Sequence, residues 1–465
     1  MAGELRWAVR HGLTRIMFQH AARRGDLAAR IVCDSELFID PFPAYDLIRS
    51  RAPLLRGALG FSTASHSVAT DVLRGDAFSV ERDSSGLPAP LRALLAFAER
   101  EPAITPVDPP SMLVTDPPDH SRYRRLVTRV FTPRAIEALR GRTEQIAEGL
   151  LDEMVGESAV DLVDRYASAL PVTVISEILG VPLGMRDQFL SWGNSAAVTL
   201  DIGISRAASR RADRDIRALD TWVRDHFNRL RRDPGEDILS RLVSLVDDGD
   251  RLTEDELAGI AMLLLGAGFE TTANLIGNGV ETLLRHPDQL RALLDEPAGW
   301  PNAIEEILRY ESPVQTTARF AKDRVALGGV SVSPGPPIVV FLGGANRDPE
   351  IFTDPNLFDI TRPNARDHVA FSSGAHYCLG AGLARMEGET ALRMLFERFP
   401  DLALAGPPHR RPTRTLRGWD AMPVAPGRTA RTGASADAGL VLRSHDLKLQ
   451  SALLDQGRLR RGSSE

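Results

Sequence analysis

Cysteine and lysine are nearly absent from this chain of 465 residues. It has two cysteines, Cys33 and Cys378, and among its 56 basic residues only two lysines, Lys322 and Lys448. Two cysteines exclude a disulfide framework and any all-cysteine zinc or iron–sulfur site, and a reducing cytoplasm is the expected setting. The arginine excess, with abundant alanine, reads as GC-rich codon usage rather than binding chemistry. A surplus of one charge is also lacking: 56 bases against 62 acids leave −6, which removes a whole-molecule case for nucleic-acid binding. No apolar run is of membrane-spanning kind. The longest uncharged stretch, Val325 to Asn346, is broken by Pro334, Pro336 and Pro337 and alternates like strands and turns, so no transmembrane anchor is expected.

Apolar residues make up 43% and charged residues 25%, enough for a large core and too apolar for disorder. No repeat or low-complexity linker divides the chain before residue 426. Residues 1–39 form an N-terminal extension in which Arg6, Arg10, Arg15, Arg23 and Arg24 interleave with Trp7, Leu13, Ile16 and Met17, without a signal-peptide core. A packed, amphipathic first helix fits best, because Glu4 and Asp26 interrupt the basic pattern; a presequence or a surface-lying helix are the alternatives. Residues 40–426 read as one domain. From 427 to 465 the composition shifts to Arg, Gly, Ser and Ala, which predicts a flexible tail with a short apolar rhythm from Leu440 to Leu454.

Helical periodicity dominates from Ala135 to Tyr310, and strand-like segments lie at Leu59–Val68, Val325–Leu342 and Met422–Val424. The expected class is mainly α with small peripheral sheets, without alternating βαβ units. Thr253 and Glu256 form a capping box ahead of an apolar run that His286-Pro287 stops after Arg285. That helix would be about 45–50 Å long and would cross the molecule. Its middle holds Gly266, Ala267, Gly268, Phe269, Glu270 and Thr271. Each glycine weakens a helix by about 1 kcal/mol, and Thr271 can turn its hydroxyl to a backbone carbonyl. An acid and an alcohol at such a weak point call for either a functional role or a glycine-mediated crossing with Glu270 ion-paired.

Cys378 lies in Phe371-Ser372-Ser373-Gly374-Ala375-His376-Tyr377-Cys378-Leu379-Gly380. Gly374 and Gly380 let backbone wrap the sulfur and aim amides at it, and the helix starting near Leu379 favours a thiolate. Zinc would need three more ligands, and no suitable cluster exists. Gly380-Ala381-Gly382 starts like a dinucleotide fingerprint but has Arg385 at the third glycine position. The segment resembles the haem-binding loop of the cytochrome P450 family, Phe-Gly-x-Gly-x-His-x-Cys-x-Gly, with Ser372 in place of the first glycine.

Other segments share the resemblance in order and spacing. Ala267–Thr271 resembles the oxygen-activation motif, in a glutamate version. Glu306-Ile307-Leu308-Arg309 resembles the Glu-x-x-Arg helix, Ala345–Pro349 with Phe358–Arg362 the meander, and Asp116–Arg124 the C helix of soluble bacterial members. The likeness covers about residues 40–426 and looks actinobacterial. It implies a cytochrome P450 fold, with a long central helix over a buried haem b that takes the Cys378 thiolate as its iron ligand. Phe371, Gly374 and Gly380 would shape the cradle, and His120, Arg124, Arg319 and His376 would receive the propionates. Glu306, Arg309 and Arg362 would form a structural network. Glu270 and Thr271 would relay protons, with Ala267 and Gly268 leaving room for dioxygen. Leu264, Phe269, Val314, Thr316 and Thr317 would line the substrate pocket, and residues 88–110 would cover it.

The implied activity is a monooxygenase acting on a lipophilic small molecule (polyketide, terpenoid, steroid or lipid-like), as in secondary metabolism. It would use O2 and electrons from a ferredoxin and an NAD(P)H-dependent ferredoxin reductase, since nothing in the chain binds flavin or an iron–sulfur cluster. Arg122, Arg125, Arg129 and Arg134 are candidates for docking an acidic ferredoxin, or are simply solvated. A peroxide-driven peroxygenase and a non-catalytic haem sensor or carrier are the rival readings. Glu270 and Thr271 speak against the first, and consumption of NADH would separate off the second.

Overall fold

The computed structural model describes residues 6–81, 107–128, 131–235, 237–244 and 252–429. Among them ten helices reach ten residues: α1 (Leu13–Arg23), α2 (Phe42–Arg51), α3 (Asp119–Thr128), α4 (Pro133–Asp152), α5 (Ala169–Ile178), α6 (Arg186–Val198), α7 (Arg206–Leu230), α8 (Glu254–Arg285), α9 (Trp300–Tyr310) and α10 (Ala381–Arg398). The described residues up to Arg428 belong to one compact unit. The expected covering segment lies outside the described residues except for 107–110, as do Arg129 and the tail beyond 429.

α8 is the axis of the molecule. Its capping box is closed in both directions: Thr253 Oγ1 accepts from the Glu256 amide, and the Glu256 carboxylate accepts from the Thr253 amide. The helix ends at His286, ahead of Pro287. By length and composition α8 could cross a bilayer, but 72% of its most apolar window is buried by the other helices. That marks it as a core helix. Glycines let neighbours approach closely. A Cβ on Gly279 would meet Leu392 of α10 at 2.5 Å, and one on Gly388 of α10 would meet Leu275 of α8 at 2.8 Å. One continuous apolar core surrounds this crossing, drawing Leu275, Ile276 and Val280 together with Trp300, Ile304, Leu392 and Phe396.

The sheets are peripheral. The largest runs β1-β2-β8-β5-β3, from β1 (Leu55–Arg56), β2 (Phe61–Thr63), β3 (Phe78–Ser79), β5 (Thr316–Ala321) and β8 (Pro337–Phe341); β2 and β8 are parallel and the other pairs antiparallel. Three smaller sheets pair β4 (Val160–Asp161) and β9 (Ala403–Leu404) with β12 (Pro423–Ala425), β6 (Val325–Leu327) with β7 (Val330–Val332), and β10 (His409–Arg410) with β11 (Trp419–Ala421). The expected strand over Leu59–Val68 is corrected: only Phe61–Thr63 is extended, and a helix begins at His66. The Asp348 carboxylate accepts the His66 amide at 2.7 Å, giving that helix start the partner that its own sequence does not supply.

Candidate functional site

The cysteine loop is held by its backbone. The Cys378 amide donates to the Phe371 carbonyl at 2.9 Å. The loop enters at Ser372 with φ +61° and at Gly374 with φ +67°. Gly374 is required twice, since a Cβ would also lie 2.4 Å from the Leu73 carbonyl oxygen. Ser372 takes the left-handed conformation without being glycine, and its hydroxyl is buried without a partner among the described residues. Gly380 differs from expectation: its φ is −85°, and an added Cβ would meet no protein atom within 4 Å. Its amide is what matters. Burial pushes the Cys378 thiol up, and the Gly380 N–H donated to the sulfur, with Arg124 and Arg385, offsets only part of that rise. The Cys378 side chain nevertheless remains accessible.

Arg385, at the position that spoiled the dinucleotide fingerprint, supports this loop. Its guanidinium lies 4.6 Å from the Phe371 ring centre, donates to Tyr377 Oη at 3.1 Å and binds Glu305 through Nε at 2.8 Å. Glu305 also meets His368 Nε2 at 3.1 Å. Burial alone would raise its pKa, but the His368 and Arg385 hydrogen bonds bring it down to about 2.

Three elements bring basic side chains together beside the loop. The His120 ring of α3 lies 4.2 Å from the His376 ring. Arg124, one turn on, donates to the Tyr377 carbonyl at 2.6 Å, and Arg319 of β5 donates to Thr317 Oγ1 at 2.9 Å. His120 and Arg319 are buried, and neither His120 nor His376 has a hydrogen-bond partner among the described residues. Burial, then the charges of His120 and Arg319, lower His376 to about 3; burial likewise lowers Arg319 to about 10. Among the described residues Asp116 is the one carboxylate acting on this group, and it already accepts from Ser79 and from the Val80 amide. The cluster therefore holds donors in excess of anions.

On α8, Ala267 is exposed between the buried Leu265 and Phe269. Thr271 is half-buried and donates to the Ala267 carbonyl at 3.0 Å, while Gly268 packs on Ile175 of α5. Glu270 is buried and ion-paired with Arg411, which also donates to Asn194 at 2.8 Å. Glu270 Oε2 and Arg411 Nε have no partners among the described residues. Burial raises the Glu270 pKa against the pull of Arg411. Leu264, Val314, Thr316 and Thr317 are half-buried, and Val314 bridges to Leu416. Phe269 parts from that group. It is 2% exposed, and its ring is turned onto Gly193 of α6, where a Cβ would lie 2.2 Å away. It is a helix-packing residue.

The predicted triad closes fully. Arg309 Nε and Nη2 reach Glu306 at 2.7 and 2.8 Å, and Arg362 Nε lies 3.1 Å from the same carboxylate. The spare guanidinium donors go to the carbonyls of Asn346, Thr353, Pro355 and Leu357, which pins the meander to α9. Arg122 of the expected docking patch is spent elsewhere. It is ion-paired to Glu256 at the start of α8, and Tyr123 Oη donates to the same carboxylate at 2.9 Å. Arg125 and Arg134 are exposed, and Arg125 lines an open cleft of about 640 Å³ with His120, Arg124, Gly374 and Ala375.

The cytochrome P450 family model matches residues 301–413. The putative cytochrome P450 140 of Mycobacterium tuberculosis is 48% identical over 92% of this chain and 98% of its own length. This chain belongs to the cytochrome P450 family. 6-Deoxyerythronolide B hydroxylase of Saccharopolyspora erythraea is 46% identical over 68% of this chain and 77% of its own. Among solved structures, ligand-free Mycobacterium smegmatis CYP164A2 matches with TM-score 0.77 and 36% identity, over 86% of this chain and 99% of its own. As a cytochrome P450 the protein has that fold and is an oxidoreductase, a haem-dependent monooxygenase; the family implies a cysteine-thiolate iron ligand. The residues present fit haem. An accessible thiol accepts the Gly380 amide at the start of α10, and four clustered basic side chains face a single carboxylate among the described residues, a setting that two propionates would complete.

Proposed function

We propose that this cytochrome P450 inserts one oxygen atom of O2 into a C–H bond of a lipophilic small molecule of polyketide, terpenoid, steroid or lipid type, in the cytoplasm. Electrons would come from a ferredoxin and its NAD(P)H-dependent reductase. The substrate class draws support from relatives whose names tie them to polyketides, 6-deoxyerythronolide B hydroxylase and the Bacillus subtilis polyketide biosynthesis cytochrome P450 PksS. The observation that carries the reading is the amide-supported, accessible thiol of Cys378 together with the acid–alcohol pair on α8.

Cys378 would bind the iron of haem b, in a cradle shaped by Phe371, Gly374 and Gly380. His120, Arg124, Arg319 and His376 would hold the propionates. A thiolate-ligated haem supplies the electron-rich iron that favours O–O cleavage. The chain's own part is proton supply and exclusion of water. Burial makes Glu270 easier to protonate than an exposed carboxylate, against the pull of Arg411, which fixes the orientation of its carboxyl group. The Thr271 hydroxyl, parked on the Ala267 carbonyl, can turn to pass a proton toward the exposed side of Ala267. Arg125 and Arg134 offer an acidic ferredoxin an exposed cationic edge. The carbon monoxide spectrum of the reduced protein tests the reading. We expect a strongly red-shifted Soret band that Cys378→Ser abolishes, and an ordinary haem–CO band in the unmutated protein would overturn it.

A further inference from the structure

The N-terminal helix shows the solvent a face that the monooxygenase reading leaves without a use. A π-helical stretch, Ala8–Gly12, runs into α1 without a break. The inward side is fastened. Trp7 Nε1 donates to the Ile204 carbonyl at 3.0 Å, in the connection between α6 and α7. Arg10 binds Asp108 through both Nη atoms at 2.9 and 2.7 Å, Arg6 lies 3.8 Å from Asp213, and Ala21 is buried. The outward side is apolar where a surface helix should be polar. Leu13, Ile16 and Met17 are 51%, 64% and 47% exposed. They are spaced i, i+3, i+4 on one face, which His20 and then Arg23 and Arg24 continue.

Charge identifies the occupant. In a chain of net charge −6, residues 6–25 hold five arginines and no acid. Among the described residues the acids that ion-pair with this segment are Asp108, with Arg10, and Asp213, with Arg6. Arg15, Arg23 and Arg24 are exposed and make no ion pair among the described residues. Gly203 abuts the Arg15 side chain, and its neighbour Ile202 is 46% exposed, adding an apolar group beside the helix. An apolar stripe with cations at its end and flank matches a surface that is negative outside and apolar beneath. We propose that α1 docks this protein on an anionic lipid bilayer, lying in the plane of the headgroups with Leu13, Ile16 and Met17 inserted and Arg15, Arg23 and Arg24 on the phosphates. The helix is tied to residues 108 and 204, so docking would present this face of the molecule to the phase in which lipophilic compounds collect.

Flotation of the full-length holoprotein with vesicles tests this. Phosphatidylcholine–phosphatidylglycerol vesicles should bind it about tenfold or more better than phosphatidylcholine alone, and added salt should weaken the binding. The paired variants Ile16→Glu/Met17→Glu and Arg23→Glu/Arg24→Glu should each lose about tenfold in binding. Their haem content and carbon monoxide spectra should stay unchanged, which shows that they fold. Equal binding to both vesicle types, or binding that survives both pairs, would overturn the proposal. So would a dimer in size-exclusion chromatography that Ile16→Glu/Met17→Glu converts to monomer with no vesicle binding in either form, since the face would then be a contact between copies. None of these readouts depends on the substrate or on turnover.

Discussion

Ser372 stands where the family pattern has glycine, and it has a left-handed backbone with a buried hydroxyl that has no partner among the described residues. A non-glycine residue in that region costs about 1–2 kcal/mol, partly offset by the entropy that glycine would lose on folding. Ser372→Gly should therefore stabilise the holoprotein by about 0.5–1 kcal/mol, read as a higher thermal midpoint with an unaltered carbon monoxide spectrum. Gly374→Ala should do the reverse, since its Cβ would strike the Leu73 carbonyl, and should lower haem occupancy on purification. At the acid–alcohol pair the expected effects differ in kind. Glu270→Gln removes a proton donor and should slow product formation by about a hundredfold with a surrogate ferredoxin system. Thr271→Ala should leave NADH consumption running while product per NADH falls.

Helices and loops carry the next level of specification, and the triad on α9 shows what a sequence can and cannot disclose there. Glu306 and Arg309 are three apart on one helix, so their pairing is legible from spacing alone. Glu305, the adjacent residue, is equally buried and binds His368 and Arg385, yet nothing local sets it apart from a surface acid. Loss of the Glu306 carboxylate would leave Arg309 and Arg362 facing each other without an anion, at a cost of about 3–5 kcal/mol. Glu306→Ala should accordingly yield little haem-loaded protein, whereas Arg125→Ala, on the exposed cleft, should leave the folded yield unchanged. The length of α8 was readable for the same local reason as the triad, through its capping box and the His286-Pro287 stop. The direction of Phe269 was not, because only the packing of Gly193 against α8 turns that ring away from the other pocket candidates. The Arg411 partner of Glu270 lies 141 residues away. A buried carboxylate demands some cation, but which of the many arginines serves is decided by tertiary structure.

Across the whole molecule, pH dependence follows from carboxylates that folding places among cations. Glu311 is buried; burial by itself raises its pKa, but Arg417, Arg410 and Arg347 outweigh that and hold it at about 2. Arg417 Nε donates to it at 2.8 Å, tying the segment before β11 to the end of α9. Glu305, also at about 2, ties α9 to the cysteine loop through Arg385. Both folded-state values lie below the ordinary 4.5. The unfolded chain therefore takes up these two protons first as pH falls. The stability that the two carboxylates contribute is complete above about pH 4.5 and is lost as pH falls toward about 2. Acid unfolding followed by far-UV circular dichroism should show a steep loss in that window, and Glu311→Gln should make it shallower while lowering stability at pH 7. An unchanged acid transition in that variant would mean that the arginines around Glu311 do not hold its charge in solution as they do in the folded geometry described above.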